Sequence, residues 1–124
     1  MFLYLGRKVV MGDVAQAAQK AGFSGEDLLI AVSIAYAESR GDPNAVGDQT
    51  LAPERGPSIG LWQINIGSKA HPEWAGDNLT DPQTNANRAF ELYQRAGGTF
   101  RDWSTFKFNR YQAFMDRARQ EVNA

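Results

Sequence analysis

Apolar positions along the chain fall into helical spacing in several stretches and clump without it in one. From Asp13 to Ala21 the sequence is rich in Ala and Gln and stops at Gly22, which predicts a helix closed by a C-terminal glycine. Ser24 followed by Asp27 gives a capping-box pattern for a second helix. There Leu28, Ala31, Val32 and Ala35 share a face with Glu38 or Ser39. Leu29, Ile34 and Tyr36 make this helix apolar almost all round, so it is expected to be buried, with Gly41 as its stop. Residues 41–58 are rich in Gly and Pro and poor in apolar anchors, which predicts a loop with at most a short irregular hairpin. "IGLWQIN" (59–65) is compact, apolar and flanked by glycine. If it forms a strand, positions 63 and 65 face one way and 62 and 64 the other.

The second half returns to helical spacing. Asp81 reads as an N-cap with Pro82 at the first helical position, and Gly97 marks the end of that helix. Thr99 with Asp102 repeats the capping-box pattern before a turn around Trp103. Tyr111, Phe114, Met115, Ala118 and Val122 define an amphipathic C-terminal helix. The expected fold is mainly α, with a small irregular β element around residues 42–66 that forms one side of a cleft, in a single domain covering 1–124.

Composition narrows the picture without deciding it. A chain of 124 residues, 43% hydrophobic and 22% charged, is an ordinary globular domain with enough length to bury a core. A net charge of −1 gives no reason to expect nucleic acid as a partner. With no cysteine, disulfides and thiolate metal sites are excluded. The apolar run Phe2–Leu5 is too short for a signal peptide and precedes its basic residues. No run approaches the roughly 18 apolar residues of a membrane span, so no membrane partner is expected.

Candidate chemistry starts at Glu38. It lies on the apolar stripe of the buried helix and in its last turn, where desolvation and the helix C-terminus both disfavour the charged form. A carboxyl kept protonated in this way can serve as a general acid. The alternative is a partly exposed helix-ending Glu paired with Arg40. Three weaker features carry little. "RGD" at 40–42 overlaps the helix exit, where Gly and Asp have structural work. "GDNLTD" at 76–81 lacks the spacing of a calcium loop. His71 has no His or Cys partner, so no metal and no cofactor are expected.

"ESRGDPNAVGD" followed by "GPSIGLWQIN" resembles the lysozyme-like superfamily, in particular the soluble lytic transglycosylase type domains of bacteria and phages. "DPQTNANRAFELYQRAGGTFRDWSTF" is similar to that family's third block, and the resemblance covers about residues 24–111. It implies Glu38 as the catalytic acid, acting on the β-1,4 bond between N-acetylmuramic acid and N-acetylglucosamine in peptidoglycan. It also implies a saccharide groove involving Ser39, Ser58, Trp62, Gln63, Asn65 and Tyr111. Trp62 reads either as a stacking face for a sugar or as a core aromatic, and Trp103 and Phe106 read as core.

The departures bear on mechanism. Where animal c-type lysozymes keep a second carboxylate this chain has Ser58, and where goose-type enzymes place a helpful Asp it has Asn65. A lytic transglycosylase needs one acid only, because the substrate's own C6 hydroxyl attacks. The expectation is therefore a transglycosylase, with a muramidase using Asp48 or Glu54 as the rival and a non-catalytic peptidoglycan-binding module as the rival from another class. Many transglycosylases carry a Tyr in an Ala-Tyr-Asn block near the acid. "STFKFN" has Phe106 there, which leaves Tyr111 or Tyr36 to supply a hydroxyl. The expected setting is a phage virion or endolysin acting on the bacterial wall, as a monomer or as part of a larger phage or wall protein.

Overall fold

The computed structural model describes residues 12–50 and 53–123, so the Phe2–Leu5 run lies outside the described residues. Among the described residues, five α-helices and a three-stranded antiparallel sheet follow in chain order: α1 (Asp13–Ala21), α2 (Gly25–Ser39), β1 (Val46–Gly47), β2 (Ser58–Ile59), β3 (Ile64–Asn65), α3 (Pro82–Arg95), α4 (Ser104–Lys107) and α5 (Met115–Val122). Short 3-10 turns at Pro53–Arg55, Pro72–Trp74 and Arg110–Phe114 connect them. The mainly α architecture with a small β element between α2 and α3 is the one expected from the sequence.

Helix α2 runs through the core. Leu28, Ala31, Val32, Ile34 and Ala35 are all buried, as its all-round apolar pattern requires. Helix α1 packs on α2 and α3, while α5 and the 110–114 turn cover another side of α2. A row of rings then ties α3 to the segment after it. Phe23 meets Tyr93 at 5.1 Å, Phe100 meets Phe106 at 5.7 Å, and Phe106 stacks on Tyr111 at 5.1 Å.

The sheet pairs Val46 with Ile59 and Gly47 with Ser58, then Ser58 with Asn65 and Ile59 with Ile64. "IGLWQIN" is therefore not one strand. It is the end of β2, a tight turn over Gly60–Gln63 closed by the Gln63 N–H on the Gly60 carbonyl at 3.0 Å, and β3. Gly60 has φ +82, and a Cβ there would lie 2.2 Å from Asn85 Nδ2, so only glycine fits. Asn85 is fully buried and closes this turn onto α3. Its Oδ1 accepts the Trp62 N–H at 2.8 Å, and its Nδ2 donates to the carbonyls of Ile59 and Leu79 at 2.8 and 2.9 Å.

Helix ends follow the sequence in part. Asp81 caps α3 by accepting from the Thr84 N–H at 2.9 Å, with Pro82 in the first turn. Ser24 stands at the N-cap of α2, but its hydroxyl makes no capping bond, and Asp27 instead accepts from the Tyr93 hydroxyl. Thr99 does not cap α4 either; it donates to the Ala96 carbonyl at 2.9 Å and closes the end of α3. In both patterns a side chain suited to capping had another partner within reach. The expected C-terminal helix divides into the 110–114 turn and α5.

Candidate active site

Glu38 is the penultimate residue of α2 and lines a cavity of about 400 Å³. Ser58 and Asn65 of the sheet line it too, with Gln63 from the turn, His71 from the loop that follows, and Asp102, Trp103, Ser104 and Lys107 from the segment around α4. Helix α2 thus delivers one carboxyl to the junction between the β element and α4. The Thr105 hydroxyl donates to Glu38 Oε2 at 2.8 Å, and Thr105 is itself buried.

Burial pushes the Glu38 carboxyl above the ordinary carboxylate range, and the nearby negative charge of Asp48 pushes the same way. The Thr105 hydrogen bond and the positive charge of Arg110 act in the opposite direction without cancelling the rise. A carboxyl whose proton affinity is raised at the wall of a cavity is better suited than an ordinary one to donate a proton to a bound group. Arg40, the residue beside it that offered an ion pair instead, leaves the helix in a left-handed conformation (φ 57) with its N–H on the Tyr36 carbonyl at 2.9 Å.

The other expected site residues separate into two groups. Ser58, Gln63 and Asn65 reach the cavity with Glu38, but their polar groups are already engaged. Ser58 Oγ donates to Asp48 Oδ2 at 2.7 Å. Gln63 Nε2 donates to the carbonyls of Ala45 and Gly60 at 3.1 and 3.0 Å, from a left-handed backbone (φ 51). Asn65 donates to the Arg55 carbonyl at 2.9 Å and accepts the Gly67 N–H at 2.8 Å, bracing the loop behind the sheet.

The second group stands away from the cavity lining. Ser39 turns back into its own helix, donating to the Ala35 carbonyl at 2.8 Å and accepting the Gly41 N–H at 3.2 Å, so it terminates α2. Trp62 is 1% exposed and has no face free for a sugar ring. Its indole N–H donates to the Ala31 carbonyl at 2.9 Å, and its own carbonyl accepts the Trp103 indole N–H at 3.0 Å. It shapes the cavity from behind, through Trp103. Tyr111 stacks on Phe106 and lines a different hollow with Glu26 and Ile30, while the Tyr36 hydroxyl goes to Glu121. The hydroxyl beside Glu38 thus comes from Thr105, one residue before the Phe106 that the sequence pointed to. Glu54 lies in the 53–55 turn and does not line the cavity; Asp48 reaches it through Ser58.

Sequence reasoning missed Thr105, Lys107, Asp102 and His71 as neighbours of this cavity. The sequence considered His71 only in setting a metal site aside; in the structure its ring is stacked on buried Trp74 at 4.5 Å and lines the cavity. The one signal for Thr105 was its place beside Phe106 in the matching block. Among the described residues no group of three or more His, Asp or Glu side chains is placed to hold a metal ion, and no helix is long and apolar enough to cross a membrane.

A family model described as a lysozyme-like domain matches residues 15–105, which spans most of α1 to the middle of α4 and includes both Glu38 and Thr105. No curated protein and no solved structure matches the chain.

Proposed function

The chain belongs to the lysozyme-like domain family, and from that premise we propose that it is a lytic transglycosylase that cuts peptidoglycan strands at the N-acetylmuramic acid β-1,4-N-acetylglucosamine bond. Membership supports, in general terms, glycan cleavage connected with peptidoglycan. The finer reading is carried by Glu38, the cavity-lining carboxyl whose proton affinity is raised and which accepts the Thr105 hydrogen bond. Glu38 gives its proton to the glycosidic oxygen as the C1–O bond breaks. The C6 hydroxyl of the same muramic acid then attacks C1 and returns its proton to Glu38, leaving a 1,6-anhydro end. The acid is restored, and no second carboxylate is required. The setting that goes with this reading is the bacterial wall, attacked from a phage virion or by an endolysin.

One observation favours a second reading. Ser58 stands in the cavity with its hydroxyl on the Asp48 carboxylate, so Asp48 could order an attacking water through Ser58 and make the protein a muramidase. Mass analysis of muropeptides from purified peptidoglycan separates the two. Products with 1,6-anhydro ends, still formed by Asp48→Asn, support the transglycosylase; reducing ends that disappear in Asp48→Asn support the hydrolase. Glu38→Gln is expected to lower fragment release by about 100-fold or more on either route. Wild-type protein that binds the wall and releases nothing would leave only a binding module.

A further inference from the structure

Among the described residues, the hydrogen bond made to Glu38 is the one from Thr105 to Oε2. Helix α4, which carries Thr105, is four residues long and far too short to hold its own shape. Its N-cap residue Trp103 is pinned by its indole N–H to the Trp62 carbonyl at 3.0 Å, and the Phe106 and Lys107 N–H groups bond the Trp103 carbonyl at 3.0 Å each. Trp62 is pinned in turn to the Ala31 carbonyl at 2.9 Å. Ala31 and Glu38 are both on α2. The contacts therefore close a ring that leaves α2 at Ala31, passes through two buried indoles and α4, and returns to α2 at the carboxyl of Glu38.

We propose that Thr105 is a positioning residue for Glu38: braced by Trp62 and Trp103, its hydroxyl holds Oε2, so that the acid's proton is carried on Oε1 and delivered from there to the glycosidic oxygen. The inference rests on the reading of Glu38 as the acid. A hydroxyl has one proton to donate and lone pairs to accept with. Donating to Oε2, it bonds the carboxylate before protonation and the carbonyl-like oxygen after it, with no rotation. A proton on Oε2 would force the hydroxyl to turn and accept, so the bond favours Oε1. Asp48 and Arg110 also act on this carboxyl by charge, and His71, Asp102 and Lys107 share its cavity.

The test compares Thr105→Val and Thr105→Ser with wild type on purified peptidoglycan across pH, beside carbon NMR titration of the Glu38 carboxyl. Thr105→Val removes the donor. The expected result is a kcat about tenfold lower with KM little changed, the alkaline limb of the rate profile moved to higher pH, and the carboxyl titration moved the same way. Thr105→Ser keeps the donor and is expected to restore both pH readouts. If Thr105→Val does not fold, Thr105→Ala carries the same expectation. An alkaline limb and titration that stay at the wild-type pH in the donor-less variant overturn the proposal, as does Thr105→Ser behaving like Thr105→Val. Should wild type release nothing, the enzymatic reading fails by itself, and the NMR titration still decides Thr105.

Discussion

At position 38 an ionised carboxyl works against the fold, because burial and the charge of Asp48 both raise its affinity for a proton. A group whose folded-state pKa lies above its unfolded one adds stability below the unfolded value, and that contribution is lost as pH rises through the folded pKa. Glu38→Gln mimics the protonated form at every pH. It is therefore expected to melt at a higher temperature than wild type near neutral pH and at the same temperature in acid, as thermal scans at the two pH values would read. Activity has the matching sign: cleavage by a protonated acid falls as pH rises through the same titration, so the alkaline limb should sit above the ordinary carboxylate range. Glu38 was legible from sequence because its burial follows from the apolar stripe of its own helix, which is local. Thr105 was not, since it lies 67 residues further along the chain and only folding brings its hydroxyl to the carboxyl.

Between the elements, one buried amide carries much of the β region. Asn85 on α3 satisfies the Trp62 N–H and the carbonyls of Ile59 and Leu79 at once, so the turn beside the cavity is fixed from outside rather than by its three two-residue strands. Replacing it by Leu removes all three of these hydrogen bonds and leaves the Trp62 N–H and the Leu79 carbonyl without the partner Asn85 supplied. The expected loss is on the order of 2–4 kcal/mol, read as a lower urea midpoint. Trp62→Phe removes the indole N–H from the Ala31 carbonyl and is expected to cost about 1–3 kcal/mol. Its effect on cleavage should exceed its effect on stability, because α4 loses part of its brace; parallel unfolding and turnover assays would separate the two. The helices themselves were readable, as periodicity, Pro82 and Asp81 act within a few residues. Ser24 did mark the start of α2, but the capping bonds expected of the Ser24 and Thr99 patterns do not form, because a side chain that can bond its own helix can also bond a neighbour. Asp27 and Thr99 did so.

Across the molecule, the C-terminal helix is tied to the core through Tyr36 of α2, whose hydroxyl bonds Glu121 of α5 while Arg117 lies over its ring at 4.6 Å. Burial first, and then the Glu121 hydrogen bond, push the Tyr36 hydroxyl up to about 12. With the folded pKa above the ordinary value near 10, this link is intact below about pH 10 and is lost as pH rises through about 12. Alkaline unfolding of wild type should therefore contain a step between those values that Tyr36→Phe lacks, which a pH series followed by circular dichroism would detect. The step belongs to the fold and not to the site, because neither Tyr36 nor Glu121 lines the cavity that holds Glu38.

Read as a string, the chain determined its helices, its loop-rich middle and a carboxyl set on the apolar stripe at the end of a buried helix. Each of these depends on neighbours within one or two helical turns or on an ordered set of motifs. What the tertiary structure decided was the use of the polar and aromatic side chains. Trp62, open in sequence to either a sugar or the core, became a buried brace because its indole found the Ala31 carbonyl. Ser39 closed its helix, Tyr111 joined a row of rings, and Ser58 was set on Asp48 inside the cavity. A side chain's partner depends on distances between residues remote in sequence, and periodicity holds no record of those distances. The Glu38 carboxyl could be found from its own helix, whereas the Thr105 hydroxyl that bonds it could be found only after the chain had folded.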